Sequence, residues 1–260
     1  MINQKQKKIL ILALHAGEIM MKSGAEIYRV EDTISRICKA CGINYVEVFA
    51  TPTGIFVSLD AGSEDSDVHT FVKRIRNPRI DLEKISQLNA FSREFTATDL
   101  SVEDGLQILK KIDKEKQFSF WWRVLGAGMI TSFFTVMLGG SLLDFAASGA
   151  IGVLTYLSAL LFERMQLNSF VSVFCSCALA ALLAISLKGL GFGENRDLII
   201  IGSIMMFLPG VAITNAIRDF LSGDPLSGLA RAAEAFMTAI SIAAGVGMVL
   251  KLLGIMGGGF

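Results

Sequence analysis

Trp121-Trp-Arg-Val-Leu-Gly-Ala-Gly-Met-Ile-Thr-Ser-Phe-Phe-Thr-Val136 is the stretch on which the fold turns. Two indoles and a guanidinium open it, the side chains that settle at lipid headgroup level. After Arg123 no charge follows until Asp144. On the N-terminal side the chain is densely charged. Residues 1–120 hold 17 Lys+Arg and 17 Asp+Glu, whereas residues 121–260 hold 7 and 7. That asymmetry marks a boundary between a cytosolic domain, residues 1–116, and a transmembrane helical domain, residues 117–260.

Downstream of the boundary the spacing predicts five spans. They are Trp122–Leu143, Phe145–Phe162, Phe170–Leu187, Leu198–Ile217 and Leu229–Leu253. Each is close to the roughly 20 residues that a bilayer requires. The chain is 52% hydrophobic, with a mean hydropathy of +0.55, so the apolar half dominates the average. The lysines of 110–116, just before Trp121, place the N-terminus in the cytoplasm. The C-terminus then lies outside, in a multi-pass protein of the bacterial inner membrane.

Upstream, the period is helical and then strand-like. Residues 5–22 read as an amphipathic helix, broken at Ser23-Gly24, and a second helix runs from Glu26 to Cys41. Tyr45–Thr51, Ile55–Asp60 and Val68–Ile75 alternate as strands. Thr51-Pro52-Thr53-Gly54 and Ala61–Asp67 are the turns between them. Helices follow at Asp81–Phe95 and, behind the capping box Ser101-Val-Glu-Asp104, into Lys110–Lys116. The expected fold is therefore an α+β cytosolic N-terminal domain followed by an all-α membrane bundle of about five transmembrane helices.

Composition excludes several functions. A net charge of zero argues against a nucleic-acid surface. Cys38 and Cys41 form a CxxC, but no second pair completes a zinc site, and the motif closes a helix instead of opening one. They read as buried, reduced thiols. His15, Glu18 and Asp32 do not form a recognised catalytic spacing, and no nucleophile, P-loop or dinucleotide motif is present. No metal or cofactor is expected, and no enzyme activity.

The chemistry concentrates late in the chain. Pro209 and Gly210 interrupt the fourth span, and the missing N–H of Pro209 orphans the Met205 carbonyl. Transporters use such broken helices to bind solutes near the midplane. Asn215, Arg218 and Ser222 share one side of the helix beyond the break. Arg231, Glu234, Thr238, Ser241 and Gly245 share one face of the fifth span. A charged face is expensive in lipid, so it should meet protein or a water-filled path. The alternative is an interfacial Arg231–Glu234 pair, with Thr238 bonded to its own backbone. Candidate substrate- and ion-path residues are thus Pro209, Gly210, Asn215, Arg218, Asp219, Arg231, Glu234 and Thr238. Thr131 and Thr135 form a weaker stripe on the first span.

Three blocks carry a family resemblance. Leu14-His-Ala-Gly-Glu-Ile-Met-Met-Lys-Ser-Gly-Ala-Glu-Ile-Tyr-Arg-Val-Glu31 resembles the N-terminal signature of the threonine/serine exporter family. Val46-Glu-Val-Phe-Ala-Thr-Pro-Thr-Gly-Ile-Phe-Val-Ser58 is similar to its strand–turn–strand continuation. Leu208-Pro-Gly, Asn215-Ala-Ile-Arg-Asp219, Gly223-Asp224, Gly228, Arg231 and Glu234 resemble its late membrane motif. Full-length exporters of this kind carry a further membrane module, and this chain ends at Gly257-Gly-Gly-Phe260. It therefore resembles the large subunit of the split branch, to which a bacterial succinate exporter belongs.

The resemblance implies export of dicarboxylates or of threonine and serine, driven by the proton gradient. It implies a small integral membrane subunit, separately encoded, as partner. A small-molecule substrate and the lipid bilayer complete the expected partners, with a homo-oligomer as a candidate assembly. Two competing readings are a membrane-anchored enzyme with a hydrolase-like N-terminal domain and a regulatory membrane subunit without transport of its own.

Overall fold

The computed structural model describes residues 4–43, 45–60, 69–76, 78–115 and 118–257. The expected turn Ala61–Asp67, Val68 and Lys116 lie outside the described residues, as does the chain after Gly257. Contacts divide the chain into two compact units. One is Met1–Glu115 with Val211–Ala232, and the other is Lys116–Gly210 with Ala233–Phe260. The sequence reading makes a single cut at 116, whereas the contacts return 211–232 to the first unit.

In the first unit, helices α1 (Gln4–Lys22) and α2 (Ile27–Ala40) precede strands β1 (Tyr45–Thr51), β2 (Gly54–Asp60) and β3 (His69–Arg74). The strands form an antiparallel meander in the order β1-β2-β3, with Phe49 opposite Phe56 and Phe56 opposite Val72. Helices α3 (Leu82–Ala97) and α4 (Val102–Lys114) complete the domain. Ser101 caps α4 by accepting from Asp104 N at 3.1 Å, as its sequence predicts. The core is aliphatic: Leu12, Met20, Ile34, Ile37, Ile55, Val57, Leu88 and Leu109 are all buried. Gly17 lets α1 approach closely, since a Cβ there would meet Ile34 at 2.5 Å and Ile55 at 3.4 Å.

In the second unit, α5 (Phe120–Met137), α6 (Leu142–Arg164), α7 (Ser169–Gly189) and α8 (Arg196–Ile204) pack as a bundle, and α8 runs into a 3-10 turn at Met205–Phe207. Helix α9 (Gly210–Leu221), which from Val211 belongs to the first unit, follows, and α10 (Pro225–Gly257) belongs to the first unit up to Ala232 and to the second beyond it. Small residues bring α5 and α6 together: Gly152 abuts Thr131, whose hydroxyl donates to Ser148 O at 2.9 Å. Gly245 of α10 leaves room for α7, because a Cβ there would press on Phe174 and Ala178.

The expectation of a first span over Trp122–Leu143 is corrected here. Helix α5 stops at Met137, and Gly139 takes a φ of +97°. Ser141 and Asp144 then form a capping box that starts α6. At 18 residues, α5 covers about 27 Å, slightly under the hydrocarbon thickness. Among the described residues three helices are long and apolar enough to cross a membrane: α6, α7 and α10. A fourth span results if α8 with its 3-10 turn and the bent-away α9 count together. Of the five expected spans, three or four are recovered by length and composition among the described residues.

Pro209 does break the chain, with Leu208 extended before it. The Met205 carbonyl is not orphaned, however, because it accepts from Leu208 N at 3.2 Å. Tightening to a 3-10 turn supplies the donor that Pro209 lacks.

Candidate functional site

A polar network in the first unit gathers the chemistry, and local backbone geometry builds it. Helix α1 ends with Gly24 at φ +83°, and Ala25 N reaches back to Met20 O at 3.1 Å. The carbonyls of Gly24 and Ala25 are thereby left for other partners. Helix α9 ends in the same way, with Gly223 at φ +90° and Asp224 N bonded to Asp219 O at 2.9 Å. Pro225 then occupies the first turn of α10, where its missing donor costs nothing. The tight turn folds the start of α10 against α9, and a Cβ on Gly228 would meet the Phe220 ring at 2.7 Å.

Asp219 and Arg231 face each other across this hairpin. Asp219 is fully buried, and the Arg231 side chain is 11% exposed. Arg231 Nε lies 3.0 Å from Asp219 Oδ2, but off the N–H axis, so the contact is an ion pair without a hydrogen bond. The second carboxylate oxygen accepts from Ile27 N at 3.2 Å, at the N-terminus of α2. The helix dipole favours a negative charge there. Arg231 also donates through Nη2 to Ala25 O at 2.7 Å.

Two further residues of α9 hold the same loop. Asn215 Nδ2 donates to Gly24 O at 2.8 Å. Arg218 pairs with Glu26, whose other oxygen meets Arg29 Nε at 3.2 Å. Glu26 is buried, whereas the Arg218 side chain is 50% exposed. One carboxylate thus sits between two guanidinium groups.

Glu31, one turn further along α2, accepts from Ala50 N at 2.7 Å and ties the helix to the edge strand β1. Burial pushes its carboxyl above the ordinary range. Asp224 and Asp219 add to that shift, and the Ala50 N–H offsets part of it.

Of the eight residues singled out in sequence, the structure brings Asn215, Arg218, Asp219 and Arg231 together. Pro209, Gly210, Glu234 and Thr238 belong to the second unit. Glu234 is exposed on α10, and Thr238 donates to the Glu234 carbonyl at 2.9 Å. Glu26, Arg29 and Glu31 were missed as site residues. The i,i+3 spacing of Glu26 and Arg29 was a signal for their pair, whereas the Glu26–Arg218 contact spans 192 residues and Glu31 meets a backbone amide, neither of which spacing reports.

The remaining polar residues of this unit have local partners. Glu18 pairs with Lys22 at 2.8 Å and Lys73 at 2.9 Å. Burial raises its carboxyl, but these ammonium groups outweigh it and hold the value below the ordinary one. His15 lies 3.9 Å from Glu18, and Asp32 pairs instead with Arg36 at 2.8 Å. Burial, with Cys41 beside it, pushes the Cys38 thiol up to about 12. Among the described residues no group of three or more His, Cys, Asp or Glu is placed to hold a metal.

Comparison with known proteins gives these contacts a context. The chain is 23% identical over 255 residues to a probable threonine/serine exporter of Mycobacterium tuberculosis, covering 97% of this chain and 47% of that protein. It thus spans about half of that relative's length. It is 23% identical over 260 residues to a probable succinate transporter subunit of Klebsiella aerogenes, with 97% of each chain covered. The corresponding figure for the Escherichia coli subunit is 22% over 267 residues, with 99% of each covered. No solved structure matches. The family described as putative threonine/serine exporters matches residues 11–253, which include the whole polar network, and the chain belongs to it.

Proposed function

We propose that this protein is one subunit of a secondary exporter of small carboxylate metabolites in the bacterial inner membrane. The solute is a dicarboxylate such as succinate, or threonine and serine. Export draws on the proton gradient and requires a small, separately encoded membrane subunit. The N-terminus lies in the cytoplasm. Relatives named as transporter subunits, matched over nearly their whole length, support the two-component reading.

One observation carries the mechanistic part. The three family blocks converge on one charged network: Glu31 of the first block holds Ala50 of the second, and Asp219 and Arg231 of the third hold the α1–α2 loop. The α9–α10 hairpin and the cytosolic fold are therefore joined through buried polar contacts. Such contacts have discrete made and broken states rather than a continuum. In this reading, Arg218 offers its exposed guanidinium to the solute carboxylate, and the network changes state as solute is loaded. Pro209, Gly210, Glu234 and Thr238, carried by the second unit, are further candidate path residues.

The test is efflux from cells holding this chain alone, a small membrane subunit alone, or both, loaded with succinate or with threonine. Export only from the pair is expected. Equal export from this chain alone would sink the two-component reading, and no export from the pair would sink the exporter reading.

A further inference from the structure

The second unit holds a set of buried hydroxyls that the polar network does not use. Helix α8 packs against α5, α6 and α7. Ser203, near its end, is fully buried, and its hydroxyl has no hydrogen-bond partner. Met206 stands three residues on, on the same side of the chain, and its sulfur is 3.9 Å from Thr155 Oγ1 on α6. Ser158 donates to the Thr155 carbonyl at 2.8 Å and lies 3.4 Å from Ser176 Oγ on α7. Ser176 is itself fully buried. Thr155 and Ser158 of α6, Ser176 of α7 and Met206 of the turn after α8 thus form one polar seam, with Ser203 three residues before Met206.

The hydroxyls of this bundle differ in how far they are satisfied. Thr131 donates across to Ser148 O of α6 at 2.9 Å and Thr135 back to Thr131 O within α5 at 2.9 Å, so both hydroxyls are satisfied by backbone. Ser203 has no such partner, and Ser176 has only the long contact. A buried hydroxyl left unpaired costs about 1–3 kcal/mol. Hydrocarbon offers nothing to satisfy it. Among the described residues of this unit, Asp144 is the one buried charge. It is occupied by the N–H groups of Ser141 at 3.0 Å, Glu194 at 2.6 Å and Asn195 at 3.1 Å.

We propose that this seam is a binding point for the solute within the bundle, with Ser203 and Ser176 donating to it. The inference rests on the exporter reading above. With no buried cation in the unit, the seam takes a polar group that carries no net charge there, such as a protonated carboxyl or a zwitterion. A dianion would be buried without compensation.

The test uses the full chain with its small subunit, in membranes, with Cys38, Cys41, Cys175 and Cys177 replaced by Ala. Ser203→Cys is compared with Leu182→Cys, an exposed position on the outer side of α7. A small polar methanethiosulfonate should modify Cys at position 203 at least roughly tenfold faster than at position 182. Added L-threonine, L-serine or succinate should slow that modification. Ser203→Ala should leave the thermal midpoint unchanged or raised, because it removes an unpaired group, yet lower export by roughly tenfold. Modification no faster than at position 182, or wild-type export in Ser203→Ala, overturns the proposal. Failure of the exporter reading looks different: the unmutated pair exports nothing, whatever the labelling at position 203.

Discussion

Asp219 caps a helix that begins 192 residues before it, accepting from Ile27 N at 3.2 Å while Arg231 stands 3.0 Å from its other oxygen. Glu26, the residue in the cap position of α2, makes no side-chain cap hydrogen bond. It turns instead to Arg218 and Arg29. The N-terminus of α2 therefore depends on a carboxylate brought from the other end of the chain.

Removing that carboxylate should be severe. Asp219→Ala leaves the Arg231 guanidinium buried without its counter-charge, a loss of about 3–5 kcal/mol. Asp219→Asn keeps an acceptor for Ile27 N and should lose less. Combining Asp219→Leu with Arg231→Met should restore much of the loss, because no buried charge is then stranded. Thermal unfolding of the purified protein in detergent checks the order. Additive losses in the double variant would show that the two residues do not act as a pair.

Glu31 gives a pH signature of opposite sign to that of most carboxylates. Its folded value is raised, so the protonated form is favoured in the folded state. The stability it contributes is full below the ordinary glutamate range and is lost as pH rises through the raised value. Glu31→Gln retains an acceptor for Ala50 N and removes the titration. The variant should match the wild type at low pH and exceed it at about pH 8. A variant less stable than the wild type at the higher pH would mean that the charged form is favoured.

The parts of this fold that follow local rules were legible. Strand β1 spans Tyr45–Thr51 as its alternation predicts, and Ser101 caps α4 where its spacing to Asp104 says it should. The end of α5 was hidden because the apolar run continues through Leu142 and Leu143. A usable signal was present in Gly139-Gly140-Ser141 followed by Asp144, a glycine stop and a capping box inside hydrophobic sequence. Spacing along α10 suggested Glu234 as the companion of Arg231. The structure gives Arg231 to Asp219 instead, because the turn at Gly223-Asp224-Pro225 folds α10 back on α9. Periodicity reports which face of one helix is polar, and it does not report which distant loop that face will meet.

Asp144 should prove the most sensitive polar residue of the second unit. It sits at the start of α6, fully buried, and accepts N–H groups of Ser141, Glu194 and Asn195. It thereby anchors the segment that leads into α8. Asp144→Ala removes the acceptor of three part-buried donors, two of them on exposed residues that water can reach, and should destabilise by about 1–3 kcal/mol. Asp144→Asn preserves part of the set and should lie between. The fraction of protein that stays monodisperse after heating in detergent measures the difference. A near-neutral Ala variant would show that water replaces the carboxylate.

Arg231 and Glu234 lie one turn apart on α10, yet they should respond differently to conservative change. Arg231 uses two separate nitrogens, Nε toward Asp219 and Nη2 toward Ala25 O. A lysine has one ammonium on a flexible stem and cannot reproduce that fork. Arg231→Lys should therefore lose both stability and export, and the two losses should track each other. Glu234 is exposed, and its side chain supports no contact in the network. Glu234→Gln should change stability by less than about 0.5 kcal/mol, as surface substitutions do. If the carboxylate lies on the ion path, export should still fall, because the amide keeps the shape and loses the titratable proton. The deciding measurement is efflux normalised to protein abundance in the membrane. Wild-type efflux from Glu234→Gln would remove Glu234 from the path. A stable Arg231→Lys protein with normal efflux would remove the buried pair from the mechanism as well.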